Sequence, residues 1–313
     1  MALLDSTIAR LLPSVPRPLV ERISRRYIAG PTLADACRTV ARLNAEGREA
    51  TVDVLGEEVR SVEEALAIEA EYRRVLETIE AEGLSSNVSV KLTALGLKLD
   101  FARCRAGLEA VVSDAAARSN FVRIDMEDSS ATDETLELYS ELRGAGHENL
   151  GVVLQASLRR TVADVRALAP LRPNVRLTKG IYVEPPAVAF GEFEAVRANF
   201  VKALEELLAA GCYVGIATHD EWLIGEGLRL VQEHGLERDR YEFQMLLGVR
   251  EELGETLVRD GHRLRIYVPF GEHWYEYSLR RLQENPRVGG YIAADTVSRM
   301  LPGGGSQRPS SSR

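Results

Sequence analysis

From residue 50 onward one pattern repeats along the chain. Short runs rich in β-branched residues stand at 50–57 (ATVDVLGE), 87–96 (NVSVKLTALG), 121–128 (FVRIDMED) and 149–157 (NLGVVLQAS). Four more follow at 174–183 (NVRLTKGIYV), 213–220 (YVGIATHD), 241–248 (YEFQMLLG) and 264–271 (LRIYVPFG). Runs of this kind predict buried β-strands. The segments between them read as helices with recognisable starts and stops. Thr32 with Asp35, Ser61 with Glu64 and Thr161 with Asp164 have capping-box spacing, and Asp100 and Thr132 are candidate N-caps. The helix from about 191 carries Phe193, Val196, Phe200, Leu204 and Leu208 on one face and stops at Gly211.

The starts of successive runs are separated by a strand plus a crossover helix, which is what parallel pairing requires. Eight such units predict an α/β fold of the closed (βα)8 type, a TIM barrel. An open sheet binding a dinucleotide would carry a glycine-rich turn after its first strand, and here that turn is LGEEVRS. Helical periodicity before the first strand predicts an N-terminal helical segment over 1–48, with the barrel over 49–300. The Gly/Pro/Ser-rich stretch 301–313 predicts a disordered tail.

Composition narrows the function. A net charge of −8 over 313 residues, with no basic tract, argues against nucleic acid. Cys37, Cys104 and Cys212 lie far apart without CxxC spacing, so neither a disulfide framework nor a zinc site is expected, and a reducing cytoplasm is the default compartment. Nothing reads as a signal peptide or a spanning helix.

In a barrel the chemistry lies at the C-terminal ends of the strands. Here those ends are polar: Glu57; Lys91 and Thr93; Asp125 and Glu127; Gln155; Arg176, Lys179 and Tyr182; Thr218, His219 and Asp220; Gln244. The eighth run leads into Tyr277, Arg280 and Arg281, paired guanidinium groups suited to a small anion. Period-two geometry puts Asp125 and Glu127 on one side of the third strand, inward if Met126 faces the helices. Asp125, Lys91 and Arg176 could equally be a structural ion network closing the barrel top, His219 a satisfied structural residue, and Arg280 and Arg281 surface partners of Glu284. Lys91 and Lys179 also leave open a Schiff-base aldolase, and the arginine pair a non-catalytic amino-acid-binding barrel.

The segments VSVKLTALG, IDMEDS, VVLQASLRR, RLTKGIYVEP, IATHD, YEFQMLLGVR, YVPFG and YSLRRLQEN, in that order from about Val52 to Asn285, resemble the proline dehydrogenase family. The resemblance implies a distorted barrel holding FAD noncovalently, its last helix lying over the barrel mouth. It also implies oxidation of L-proline to Δ1-pyrroline-5-carboxylate by hydride transfer to flavin N5. Carried over, Arg280, Arg281 and Lys91 would grip the proline carboxylate, with Tyr277 and Leu246 against the ring. Arg176 would lie near N5. Met126, Gln155, Lys179, Gly180, Ile181, Tyr182, Thr218, His219 and Glu284 would contact the cofactor, and Asp125 would orient the cationic groups. Glu57 would pair with Arg281 as a gate. A membrane quinone is the implied electron acceptor, membrane contact is peripheral at most, and a separate pyrroline-5-carboxylate dehydrogenase would take the product. Two departures from the family pattern stand out: Ser157 where a tyrosine is expected, and a short GEHWYEY linker before the arginine helix.

Overall fold

A computed structural model describes residues 26–56, 59–272 and 274. Eight strands pair in chain order, all parallel, and close into a barrel. They are β1 (Glu49–Val54), β2 (Ser86–Val90), β3 (Val122–Ile124), β4 (Leu150–Gln155), β5 (Asn174–Thr178), β6 (Tyr213–Ala217), β7 (Tyr241–Leu246) and β8 (Leu264–Phe270). Helix α1 (Leu33–Ala45) precedes β1. The crossovers are α2 (Val62–Ala81), α3 (Phe101–Ala117), α4 (Thr132–Gly144), α5 (Thr161–Leu168), α6 (Phe193–Ala209), α7 (Glu221–Glu233) and α8 (Glu251–Arg259). The expected (βα)8 architecture is therefore present; the helix expected over the mouth lies outside the described residues.

The capping box at the start of α1 is formed as its spacing predicts. Thr32 accepts the Asp35 N–H, and the Asp35 carboxylate accepts the Thr32 N–H at 3.0 Å. Ala36, Cys37, Val40 and Leu43 then bury one face, and the helix packs against β8 and β1 at the point where the barrel closes. Ser61 and Asp100 cap α2 and α3. Glu64 departs from the expected box, because its carboxylate takes the Arg60 N–H instead.

Thr132 and Thr161 are not caps. Each is the first helical residue, after Ala131 and Arg160 respectively. The Thr161 hydroxyl donates to the Gln155 and Leu158 carbonyls, so its hydrogen-bonding capacity goes to the β4 exit rather than to a helix end. On α6 the apolar face is Phe200, Ala203, Leu204, Leu207 and Leu208, whereas Phe193 is 40% exposed. At the first residue of the helix its ring lies against the cationic groups of Lys179 and Arg197 instead.

Strand side chains alternate between two environments. Val52, Val88, Ile124, Val152, Val175, Ile216, Phe243 and Ile266 lie in the shell between strands and helices, fully or almost fully buried. Each such burial contributes about 1.5–3 kcal/mol. The other face of each strand points into the barrel, and on β1, β2, β3, β5 and β7 it carries buried polar residues: Thr51 donates to Asn87 at 2.5 Å, and Asp53, Ser89, Arg123, Arg176, Glu242 and Gln244 are all buried. No helix among the described residues is long and apolar enough to cross a membrane.

Candidate active site

The strands are shorter than their sequence runs, and this reassigns several side chains. β3 ends at Ile124, so Asp125 and Glu127 follow the strand and its alternation does not bind them to one side. Asp125 turns inward. One of its oxygens accepts from Arg176 and from the Ser89 hydroxyl, each at 2.6 Å, and the other accepts from the Tyr267 hydroxyl at 2.8 Å. Glu127 instead takes the Thr93 N–H at 3.0 Å and the Thr93 hydroxyl at 2.5 Å, fastening the exit of β2. Sequence alternation had placed the two acids together; the early end of the strand separates them.

Arg176 is the centre of the mouth. Besides Asp125, its Nε donates to Gln244 Oε1 at 2.6 Å, and its guanidinium carbon lies 5.3 Å from the centre of the Tyr267 ring. Gln244 is oriented in turn by donating to Glu242 at 2.5 Å. Lys91 belongs to a second pair. Its Nζ lies 2.7 and 2.8 Å from the two oxygens of Asp53, which is entirely buried. Asp53 was not singled out from sequence because it stands inside the run rather than at its end. Its inward register, opposite Ser89 on β2, was the available signal.

Electrostatics separate the two aspartates. Burial raises the Asp53 carboxyl above its ordinary value and the Asp125 charge adds to this, while Lys91 opposes it. Burial acts on Asp125 as well, but Arg176 and Lys91 outweigh it and hold that carboxyl below the ordinary value. Asp125 is therefore a fixed anion that holds a guanidinium in place. One layer deeper lies Arg123, also missed from sequence. It donates to the Val152 and Asn174 carbonyls and the Asn174 side chain, and burial followed by repulsion from Arg176 lowers it to about 9. Gly151 makes the space: a Cβ there would overlap the guanidinium and lie 2.6 Å from the Asn174 carbonyl.

The candidate cofactor residues gather around the ends of β4, β5 and β6. Gln155 is buried and donates to the Met126 and Glu127 carbonyls, both at 3.1 Å. Met126 is buried in the core. Lys179, Gly180, Ile181 and Tyr182 continue directly from β5, with Gly180 at φ +96° and its α-carbon packed against Ser157 so closely that a side chain would collide. The small Ser157 is thus matched to this turn. Thr218 is buried beyond the end of β6. His219 accepts the Leu246 N–H at 2.9 Å through Nε2. A main-chain N–H can only donate, so the proton of the neutral ring sits on Nδ1. Burial, with Lys179 and Arg250 adding to it, lowers His219 to about 4 and keeps it neutral. Leu246, the last residue of β7, is thereby tied to the end of β6. Glu57, Tyr277, Arg280, Arg281 and Glu284 lie outside the described residues.

These groups suit an anionic dinucleotide cofactor. Lys179 supplies a cation, His219 Nδ1 a neutral donor and Gly180 a main chain open to close approach.

The comparisons with known proteins agree with the geometry. A family model described as proline dehydrogenase matches residues 36–292. The chain belongs to the proline dehydrogenase family. It is 39% identical over 269 residues to proline dehydrogenase 1 of Bacillus subtilis (strain 168), covering 86% of this chain and 89% of that one. It is 35% identical over 305 residues to the proline dehydrogenase of Deinococcus radiodurans, covering 94% and 97%. Among solved structures, proline utilization A (PutA) from Bdellovibrio bacteriovorus inactivated by N-propargylglycine superposes with a TM-score of 0.81 at 22% identity. That match covers 94% of this chain but 38% of the other, and it speaks to fold alone. Within the family segment the described barrel mouth brings together Lys91, Asp125, Arg176 and Leu246, the described members of the expected substrate and catalytic set.

Proposed function

We infer that this chain oxidises L-proline to Δ1-pyrroline-5-carboxylate, the first step of proline catabolism, at the C-terminal mouth of the barrel with FAD as its cofactor. That it is an oxidoreductase acting on proline follows from its family. The site assignment is carried by one observation: the Asp125–Arg176 pair, fixed by Ser89, Tyr267 and Gln244, sits where a barrel does its chemistry.

FAD, when bound, supplies the acceptor for the hydride from proline C5. The protein supplies position and charge. Lys91, with Arg280 and Arg281, is proposed to hold the proline carboxylate, and Leu246 and Tyr277 to wall the ring. Asp125 keeps Arg176 in one orientation beside the cofactor. Met126, Gln155, Lys179, Gly180, Ile181, Tyr182, Thr218, His219 and Glu284 are proposed to hold it, and Glu57 to pair with Arg281 on closure. A quinone is the proposed electron acceptor, and a separate pyrroline-5-carboxylate dehydrogenase the proposed consumer of the product.

The aldolase reading loses ground on geometry. A Schiff-base lysine needs its nitrogen free to attack, but Lys91 Nζ is engaged by both oxygens of Asp53, at 2.7 and 2.8 Å. Lys179 is 3.5 Å from Asp220. The test is chemical: denatured protein should release FAD rather than FMN, and turnover with L-proline should yield a cyclic imine that o-aminobenzaldehyde traps. Absence of both products would reject the assignment, and inactivation by borohydride plus a carbonyl substrate would restore the aldolase.

A further inference from the structure

Helix α2 carries a solvent face that neither the fold nor the site uses. Three of the exposed large apolar residues in the described chain stand together at its start: Val62 is 43% exposed, Leu66 47% and Leu99 44%. Val62 and Leu66 are one turn apart on the helix. Leu99 reaches the same turn across Gly96, where a Cβ would lie 3.6 Å from Ala65 and 3.8 Å from Leu99. The other face of α2 is committed to the barrel wall: Ala65, Tyr72, Val75, Leu76 and Ile79 are buried, and the helix packs on β1, β2 and α3.

A second pattern runs beside these apolar residues. Arg60, just before the helix, and Glu63, Ala67, Ala70, Arg74 and Glu77 are all exposed. They follow one another at alternating steps of three and four residues, the spacing of a seam along which two helices pack. The seam is its own complement when reversed. It reads plus, minus, small, small, plus, minus; turned end for end it reads minus, plus, small, small, minus, plus. Arg74 uses one nitrogen on Glu71 of its own helix, 2.9 Å away, but a guanidinium has donors enough for two carboxylates.

We propose that this face of α2 is a self-association surface, on which two copies of the chain pack their α2 helices antiparallel about a twofold axis passing between Ala67 and Ala70. Glu63 then faces Arg74 of the partner subunit, and Arg60 faces Glu77 of the partner subunit. Each contact occurs twice, as twofold symmetry requires. The alanines at the centre let the helices approach closely, and Val62, Leu66 and Leu99 cover the flank. A parallel pairing would set like charge against like. Glu63, Glu64 and Glu77 also speak against an anionic lipid surface as the occupant, whereas a second copy brings the matching arginines.

Sedimentation equilibrium of the full chain over a concentration series tests this. The parent should associate reversibly to a dimer. Glu63→Arg sets arginine against arginine at two symmetric places, and Arg74→Glu sets glutamate against glutamate. Each should weaken the dimer at least about tenfold. An equimolar mixture of these two variants should dimerise again, because across the seam each reversed charge then meets its opposite. A misfolded variant could not be rescued in this way. Ala70→Arg keeps a strong helix former but puts a long side chain where the helices cross, and should abolish the dimer without touching a charge pair. All these positions are exposed, so melting temperatures of the variants should stay within a few degrees of the parent's. A parent that remains monomeric at millimolar concentration would overturn the proposal. So would a dimer that the single variants leave intact, or a mixture of the two charge reversals that stays monomeric.

Discussion

At the floor of the barrel, Arg265 is enclosed by protein: it donates to Glu242 at 2.9 Å and to the Ala50 carbonyl at 2.7 Å, and it also pairs with Glu49. Arg123 beside it bonds to carbonyls and an asparagine. At the mouth, Arg176 and Lys91 are also buried and paired, but Asp125, the anionic partner of Arg176, is held in turn by the neutral hydroxyls of Ser89 and Tyr267, and Gln244 is a second, neutral partner of the guanidinium. Both layers are built from the same residue types. The floor arginines join strands to one another, so losing one should cost stability. The mouth cations lie at or near the C-terminal strand ends, where a barrel places its chemistry, so losing one should cost turnover first.

The largest break in this comparison is expected from Arg176→Met. It should lower kcat/KM for L-proline about a thousandfold, equivalent to roughly 4 kcal/mol of transition-state stabilisation. Steady-state kinetics on folded protein reads this directly. A loss confined to the melting temperature would make the mouth a structural network like the floor. Next comes Gly151→Val at the floor. Its side chain must displace Arg123, so unfolding by urea should show about 3 kcal/mol less stability, with turnover of the surviving enzyme nearly unchanged.

A smaller effect is expected from His219, whose value falls from 6.5 to about 4 on folding. Between those limits the unfolded chain binds more protons, so the stabilisation is complete above pH 6.5 and is lost as the pH falls toward 4. The full shift corresponds to about 3 kcal/mol. The residue as a whole is only partly buried, and solvent screening brings the expected loss to about 2 kcal/mol. Denaturant midpoints at several pH values should show this slope in the parent and not in His219→Gln. The smallest change is Tyr267→Phe, which keeps the ring beside Arg176 and removes one bond to Asp125. It should cost about tenfold in kcat/KM, roughly 1.4 kcal/mol.

The fold was legible because the β-runs recur at crossover spacing and each is bounded by helix signals such as Thr32, Asp100 and Gly211. Lys91 and Asp125 were legible as mouth residues because each directly follows its strand, whereas Arg176 stands inside β5 and was singled out through the family resemblance. Their partners were harder to see. Asp53, Ser89 and Tyr267 lie within strands, and only the closed register shows which inward positions share a layer. Arg123 and Gly151 are a steric pair from adjacent strands, a relation that no spacing along one segment encodes. Glu127 was misplaced because strand alternation was carried past Ile124. Phe193 shares the apolar face but not its burial, because helical periodicity does not say how deeply the first turn of a helix is covered.

The account's central claim is that the barrel mouth oxidises L-proline through a bound flavin. Anaerobic addition of L-proline to the purified protein tests cofactor, substrate and reaction together. The account predicts a yellow protein whose flavin absorption bleaches with proline in the parent and at least a hundredfold more slowly in Arg176→Met, on the order of a 3 kcal/mol rise in barrier. A colourless protein, or a flavin that proline leaves oxidised, would contradict it.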